Sequence, residues 1–250
     1  MHDFSFVSLA LGCLIFACAY TVFGVTGFGQ NIIAIPILVF MVPLKFCVPL
    51  ISLLDLVFVT WTAVKFRKQA NYSELAVLLP PLAVGLVAGA AFLSLVPEHI
   101  LLLCLGALIT LYGIYSLLKG EGAVRLKRLA AVPLGFFGGM MSAAFGTGGP
   151  VNVIYLAGRI SNKSELRASI LIVLILSTVM RVIIFGLTDF FENKLLWIWW
   201  LSVLPFCFAG VQLGHYLHDR INSVMMLRIV RIVLTVSGLM LVFKNIHAVI

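Results

Sequence analysis

Charged residues are scarce. Lys, Arg, Asp and Glu together make up 10% of 250 residues, where a soluble domain carries about a quarter. With 62% of the chain hydrophobic and a mean hydropathy of +1.17, there is too little polar surface to clothe a water-soluble globule. A cytosolic enzyme and a nucleic-acid binder are excluded on that ground, although a net charge of +8 taken alone would suit a phosphate backbone. Other absences narrow the field. Cys13, Cys18, Cys47, Cys104 and Cys207 form no CxxC pair, and no His cluster has metal-ligand spacing. They read as small buried hydrophobes, and neither a metal nor another cofactor is expected. No His-Glu-x-x-His, no Ser-Lys or Ser-His pair and no facing Asp pair points to catalysis. No Gly-Lys-Ser/Thr follows a glycine run, which removes ATP hydrolysis. His2 and Asp3 stand where a signal peptide would be basic. The apolar runs are continuous rather than alternating in ~10-residue pieces, so a β-barrel is excluded.

What is present is a succession of apolar segments with short gaps: Phe4–Phe23, Ile32–Val42, Phe46–Val64, Leu75–Leu95, Ile100–Leu118, Leu129–Phe145, Val151–Ala157, Leu166–Leu187, Leu195–Leu217 and Val224–Phe243. Most reach the ~20 residues of a spanning helix. Ile32–Val42 and Val151–Ala157 do not. Each follows a glycine-rich break, Gly24 to Asn31 and Gly146 to Pro150.

The basic residues orient the spans. With the connection holding Lys119, Arg125, Lys127 and Arg128 placed inside, Lys65, Arg67 and Lys68 also fall inside, as do Arg159, Lys163, Arg167, Arg220, Arg228 and Arg231. The turn with Glu98 and the loop with Asp189 and Glu192 fall outside. Of the 17 basic residues, Lys45, Lys194 and Lys244 fall outside and Arg181 lies within a span. Both termini are then expected on the outer side.

The halves align. Gly27 and Gly29 match Gly146 and Gly148 at one constant offset; Gly85-x-x-x-Gly89, Pro97, Gly113 and Lys119 match Gly210-x-x-x-Gly214, Asn222, Gly238 and Lys244 at another. The expected fold is an all-α polytopic membrane protein of two inverted-topology repeats, residues 1–119 and 129–250, joined by a basic cytoplasmic linker, 120–128. Each repeat has a glycine-broken helix with a short half-helix, plus three full transmembrane helices. Secondary transporters use this plan. Irregular backbone at membrane depth persists only where protein, water or a ligand satisfies it. A half-helix start exposes unpaired N–H groups and about half a positive charge, which suits an anion. Thr26, Gly27, Gly29, Gln30 and Asn31 from one break, with Ser142, Gly146, Thr147, Gly148, Gly149 and Asn152 from the other, form the expected substrate cradle.

Asp55 sits mid-span, where a carboxylate costs on the order of 2.5–3.5 kcal/mol. It reads as a proton-coupling site or as a structural hydrogen-bond acceptor. Arg181 reads as a charge snorkelling outward, as a substrate-attracting guanidinium, or as a partner of Asp55. His215, beside Gln212, reads as interfacial before it reads as a proton relay. Ser52, Ser169, Ser177 and Thr178 are expected to bond their own helix carbonyls. Trp197, Trp199 and Trp200 read as an interfacial aromatic belt. The two Gly-x-x-x-Gly pairs permit close crossings, within one chain or between subunits.

The breaks, Gly27-Phe28-Gly29-Gln30-Asn31 with Pro36 beyond and Gly146-Thr147-Gly148-Gly149-Pro150, resemble those of the TauE/SafE family of membrane transporters, the sulfite exporters. Gln30 and Asn31 stand where further glycines are frequent in that family, and Tyr155 where a proline is frequent. The resemblance implies export of a small sulfur-containing anion, sulfite first, then sulfoacetate or a related organosulfonate. The expected location is the inner membrane, with the lipid bilayer as the surrounding partner and a proton or the membrane potential as drive. An anion channel of the same architecture and an intramembrane enzyme are the alternatives.

Overall fold

The computed structural model describes residues 6–27, 29–64, 67–118, 125–218 and 238–243. Every regular element among them is helical. In order these are α1 (Phe6–Thr26), α2 (Gln30–Leu38), α3 (Leu44–Val64), α4 (Tyr72–Leu95), α5 (Glu98–Leu118), α6 (Ala131–Phe145), α7 (Gly149–Arg159), α8 (Lys163–Leu187) and α9 (Lys194–His218), with two single 3₁₀ turns between. Residues 238–243 are helical as well. Most of the expected run Val224–Phe243 lies outside the described residues. So do His2, Asp3, Phe4, Phe28, Lys65, Phe66, Lys119, Glu121, Arg220, Asn222, Arg228, Arg231 and Lys244, and the side chains of Thr26, Arg67 and Lys163.

Six of the described helices are long and apolar enough to cross a bilayer; the protein is an all-α, multi-pass membrane protein. Whereas α2 stops short of Val42 and α6 starts after Leu129, most of the helices start a few residues ahead of their apolar segments. Asn162 shows how: its side-chain oxygen accepts the N–H groups of Ser164 and Glu165 at 2.9 and 3.2 Å, opening α8 ahead of its apolar run.

Both short helices arise from the same local device. Gly27 ends α1 with φ 80° and Gly146 ends α6 with φ 66°. Each glycine N–H donates to the carbonyl four residues back, Gly27 to Phe23 at 2.7 Å and Gly146 to Ser142 at 3.0 Å. This is the left-handed helix stop that glycine alone enters at little cost. The chain then restarts as α2 or α7.

The described helices form two compact units. One holds α1, α2, α5, most of α9 and residues 238–243; the other holds most of α3 with α4, α6, α7 and α8. In the second unit α4 crosses α6 so closely that a Cβ on Gly85 would fall on the carbonyl of Phe136, and one on Gly89 on the carbonyl of Met140. In the first unit α9 crosses α1 in the same manner: Gly210 abuts the carbonyl of Ala17 and Gly214 that of Thr21. Ala17 and Thr21 precede Phe136 and Met140 by the offset that relates the two breaks. Both Gly-x-x-x-Gly crossings therefore lie within this chain and share one register.

The first unit also buries Trp199, 2% exposed, against Phe46 at a ring-centroid distance of 5.6 Å. Gly12 makes the room, since a Cβ there would stand 2.7 Å from the indole. Trp199 thus leaves the expected belt, while Trp197 stays exposed. Cys13, Cys47 and Cys207 are buried as expected, whereas Cys18 and Cys104 are exposed. Lipid is as apolar as a core, so a thiol gains little by choosing between them.

Replacing Gly89 by leucine is expected to destabilise the protein by at least about 1–3 kcal/mol, because the intruding atoms meet backbone rather than a side chain that can turn away. Gly186→Ala, whose new Cβ would meet Phe191 at 3.9 Å, should melt like the parent. Thermal unfolding in detergent separates the two.

Candidate functional site

The second break is the better-defined candidate. After Gly146 the chain passes Thr147 and Gly148 and starts α7 at Gly149-Pro150. Thr147 N–H donates to the carbonyl of Met141 at 3.2 Å, and Asn152 N–H to that of Gly148 at 3.3 Å. Gly148 is needed for space: a side chain there would strike the carbonyl of Gly138 and approach Cβ of Ser142 to 2.6 Å. Gly29 in the first break serves differently. Nothing lies near its absent Cβ, but its φ of 96° excludes most other residues. It precedes α2 with no side-chain cap. Gln30 is buried and Asn31 half-buried.

Two polar side chains of the second break are buried without a hydrogen-bond partner. Thr147 is 5% exposed and its hydroxyl is unmatched; Asn152 is 3% exposed and both polar atoms of its amide are unmatched. The amide of Asn152 lies where Gly138 leaves no side chain. Each unmatched buried group costs about 1–3 kcal/mol. The Thr147 hydroxyl and Asn152 Nδ2, together with the first-turn N–H groups of α7, which have no intrahelical acceptor, put several unspent donors at one helix start, with Asn152 Oδ1 an unmatched acceptor beside them. Pro150 supplies no N–H, so it leaves no orphan there.

Arg181 on α8 reaches the same place. It is 2% exposed, so it does not snorkel. One terminal nitrogen donates to Asp55 Oδ2 on α3 at 3.0 Å; the other donates to the carbonyl of Ser142 at 2.9 Å and lies 3.4 Å from its hydroxyl. The Ser142 carbonyl therefore serves both the guanidinium and the glycine stop. Asp55, Arg181 and Ser142 tie α3, α8 and the end of α6 together at the break.

The opposite end of α7 is anchored by a second polar cluster. Tyr155 Oη donates to one oxygen of Glu74 at 2.6 Å, and Arg159 Nη2 to the other at 2.8 Å. Arg159 also donates to the carbonyl of Leu126 at 3.2 Å. Asn71 donates through its amide to Glu165 at 2.6 Å and accepts the N–H of Glu74 at 3.1 Å. The hydrogen bond to Glu74, and then its negative charge, raise the pKa of the Arg159 guanidinium further. Sequence reasoning singled out none of Glu74, Tyr155 and Asn71 for this role. The available signal was Glu74, an acid two residues into an otherwise apolar helix. Ser52, Ser169 and Ser177 bond carbonyls of their own helices, at 2.7, 2.8 and 3.0 Å, and His215 lies on an exposed face. The start of α7 thus gathers hydrogen-bond donors beside the Asp55–Arg181 pair.

Comparison with known proteins agrees with a transport role. A model of the sulfite exporter TauE/SafE family matches residues 12–241. The probable inner membrane transporter protein TsaS of Comamonas testosteroni is 28% identical over 181 residues, which cover 70% of this chain and 73% of that protein. No solved structure matches the chain.

Removing one member of the Asp55–Arg181 pair should cost about 3–5 kcal/mol, because the other charge stays buried. Arg181→Met alone should therefore unfold at clearly lower temperature than Arg181→Met combined with Asp55→Asn. If the double variant is no more stable than the single, the two groups are not balancing each other.

Proposed function

Because the chain belongs to the sulfite exporter TauE/SafE family of membrane transporters, we propose that it is a secondary transporter that exports a small sulfur-containing anion, sulfite first or an organosulfonate, across the inner membrane. The observation that carries this reading is the buried start of α7, where the Thr147 hydroxyl and the Asn152 amide lie unmatched beside first-turn amides. A pyramidal sulfite or a tetrahedral sulfonate has acceptor oxygens for the hydroxyl, the amide Nδ2 and the backbone N–H groups. Gly146, Gly148 and Gly149 bring the backbone close, and Ser142 places the charge of Arg181 next to the same turn. The start of α2, with Gly27, Gly29, Gln30 and Asn31 and with Thr26 before them, is the counterpart in the first repeat.

The repeats run in opposite senses through the bilayer, and gating of one against the other exposes the anion to each side in turn. Both chain termini face outward. An anion leaving the cell gains about 2.3 kcal/mol per charge per 100 mV from an inside-negative potential, so the membrane potential suffices as drive, and protons through Asp55 are the alternative coupling.

In proteoliposomes loaded with sulfite, the parent protein should give saturable efflux that is stimulated by anion on the opposite side. A channel would show neither saturation nor trans-stimulation. Thr147→Val and Asn152→Leu keep volume and remove the donors; each should lower efflux at least about tenfold while leaving the thermal unfolding profile intact. Undiminished efflux in both variants would overturn the assignment of the break.

A further inference from the structure

Three charged side chains are buried among the described residues: Asp55, Glu74 and Arg181. Glu74 is answered by Arg159 at 2.8 Å and Asp55 by Arg181 at 3.0 Å. Beside the break, therefore, the guanidinium stands with a carboxylate on one of its terminal nitrogens and the Ser142 carbonyl on the other. The formal charge of that set is zero.

The groups that α7 and the turn before it offer a ligand are neutral: the Thr147 hydroxyl, the Asn152 amide, and the first-turn N–H groups, fewer by one because Pro150 has none. The helix dipole adds about half a charge. The cost of taking an ion out of water rises with the square of its charge, so a divalent oxyanion pays about four times what a monovalent one of equal size does. Neutral donors and half a charge offset the smaller cost far better than the larger.

Resting on the reading of the break as an anion site, we propose that it selects monovalent oxyanions, hydrogen sulfite or a sulfonate, over divalent sulfite or sulfate. Asp55 sets that valence by cancelling Arg181. It acts through the guanidinium, as a positioning residue, and touches no substrate. Removing its charge uncovers a full positive charge one carbonyl away from the bound anion, which favours the divalent ligand.

Methanesulfonate and sulfate test this directly, being tetrahedral, of similar size and of fixed valence near neutral pH. Equilibrium binding to the purified full chain should show methanesulfonate at least about tenfold tighter than sulfate. In Asp55→Asn the ratio should collapse or invert. In Asp55→Asn combined with Arg181→Gln, where the set is neutral again, the preference for methanesulfonate should return even if both affinities fall. A purely structural Asp55 would weaken both ligands in parallel and leave the ratio unchanged, which would overturn its role. The parent comparison and the neutral double variant remain decisive if the single variant does not fold. Sulfate binding as tightly as methanesulfonate to the parent protein would overturn the valence selection while leaving an anion site. Binding of neither ligand, with sulfite also failing, would overturn the anion site itself and the selection with it.

Discussion

Lipid offers a peptide group no hydrogen bond, and most of this structure follows from that restriction. A chain that spans a bilayer must close its N–H and C=O groups locally, which leaves helices as the economical solution. Interrupting a helix at such depth exposes several groups at once. At both interruptions the same glycine stop recovers part of the loss: Gly27 and Gly146 each return an N–H to the carbonyl four residues back. The recovery stops on the far side of the break. Thr147 and Asn152 stay unmatched there in a chain that elsewhere sends Ser52, Ser169 and Ser177 to their own helices.

The buried ion pair belongs to the same economy. A lone guanidinium or carboxylate at that depth would be prohibitive, and a pair is tolerated only when further hydrogen bonds satisfy it. The Ser142 carbonyl supplies one such bond to Arg181, which ties the pair to the break rather than to an arbitrary point in the bundle. Hydrophobic residues of equal volume would hold α3 against α8 at lower cost. The Glu74, Tyr155 and Arg159 cluster does a different task, fixing the far end of α7 so that its start is held in place.

Apolar run length and glycine placement made the helical order and the two interruptions legible before any coordinates, since both depend on local chemistry. Arg181 was not legible. A long side chain near a helix end can run outward to the interface or inward to a partner, and only the positions of Asp55 and Ser142 on other helices decide. Trp199 escaped for a similar reason: an indole in a cluster of three reads as a belt until Gly12, far away in sequence, opens a slot for it. Tyr155 likewise shows its use only once Glu74 is beside it. The placement of donors at the start of α7 was readable from Gly148, Gly149 and Asn152, because a half-helix start carries them wherever it occurs. Which of them lack partners depends on packing against Gly138 and Ser142, which the sequence does not state.

The matched crossings connect these local facts to the organisation of the chain. α4 lies on α6 through Gly85 and Gly89, and α9 lies on α1 through Gly210 and Gly214, with the contacted residues in equivalent register. Each compact unit therefore takes its broken hairpin from one half of the chain and its crossing helix from the other. Neither half can complete a unit alone, because the surface that α6 offers to Gly89 is filled by a helix made much earlier, and the surface that α1 offers to Gly214 by one made near the end. Such an arrangement raises the mean sequence separation of contacts, which slows assembly. In return, the helix leading into each interruption is crossed closely by a helix from the other half of the chain. The helix before each break is thus packed by exchange between the halves, and the same exchange makes both breaks depend on residues from both halves of the chain.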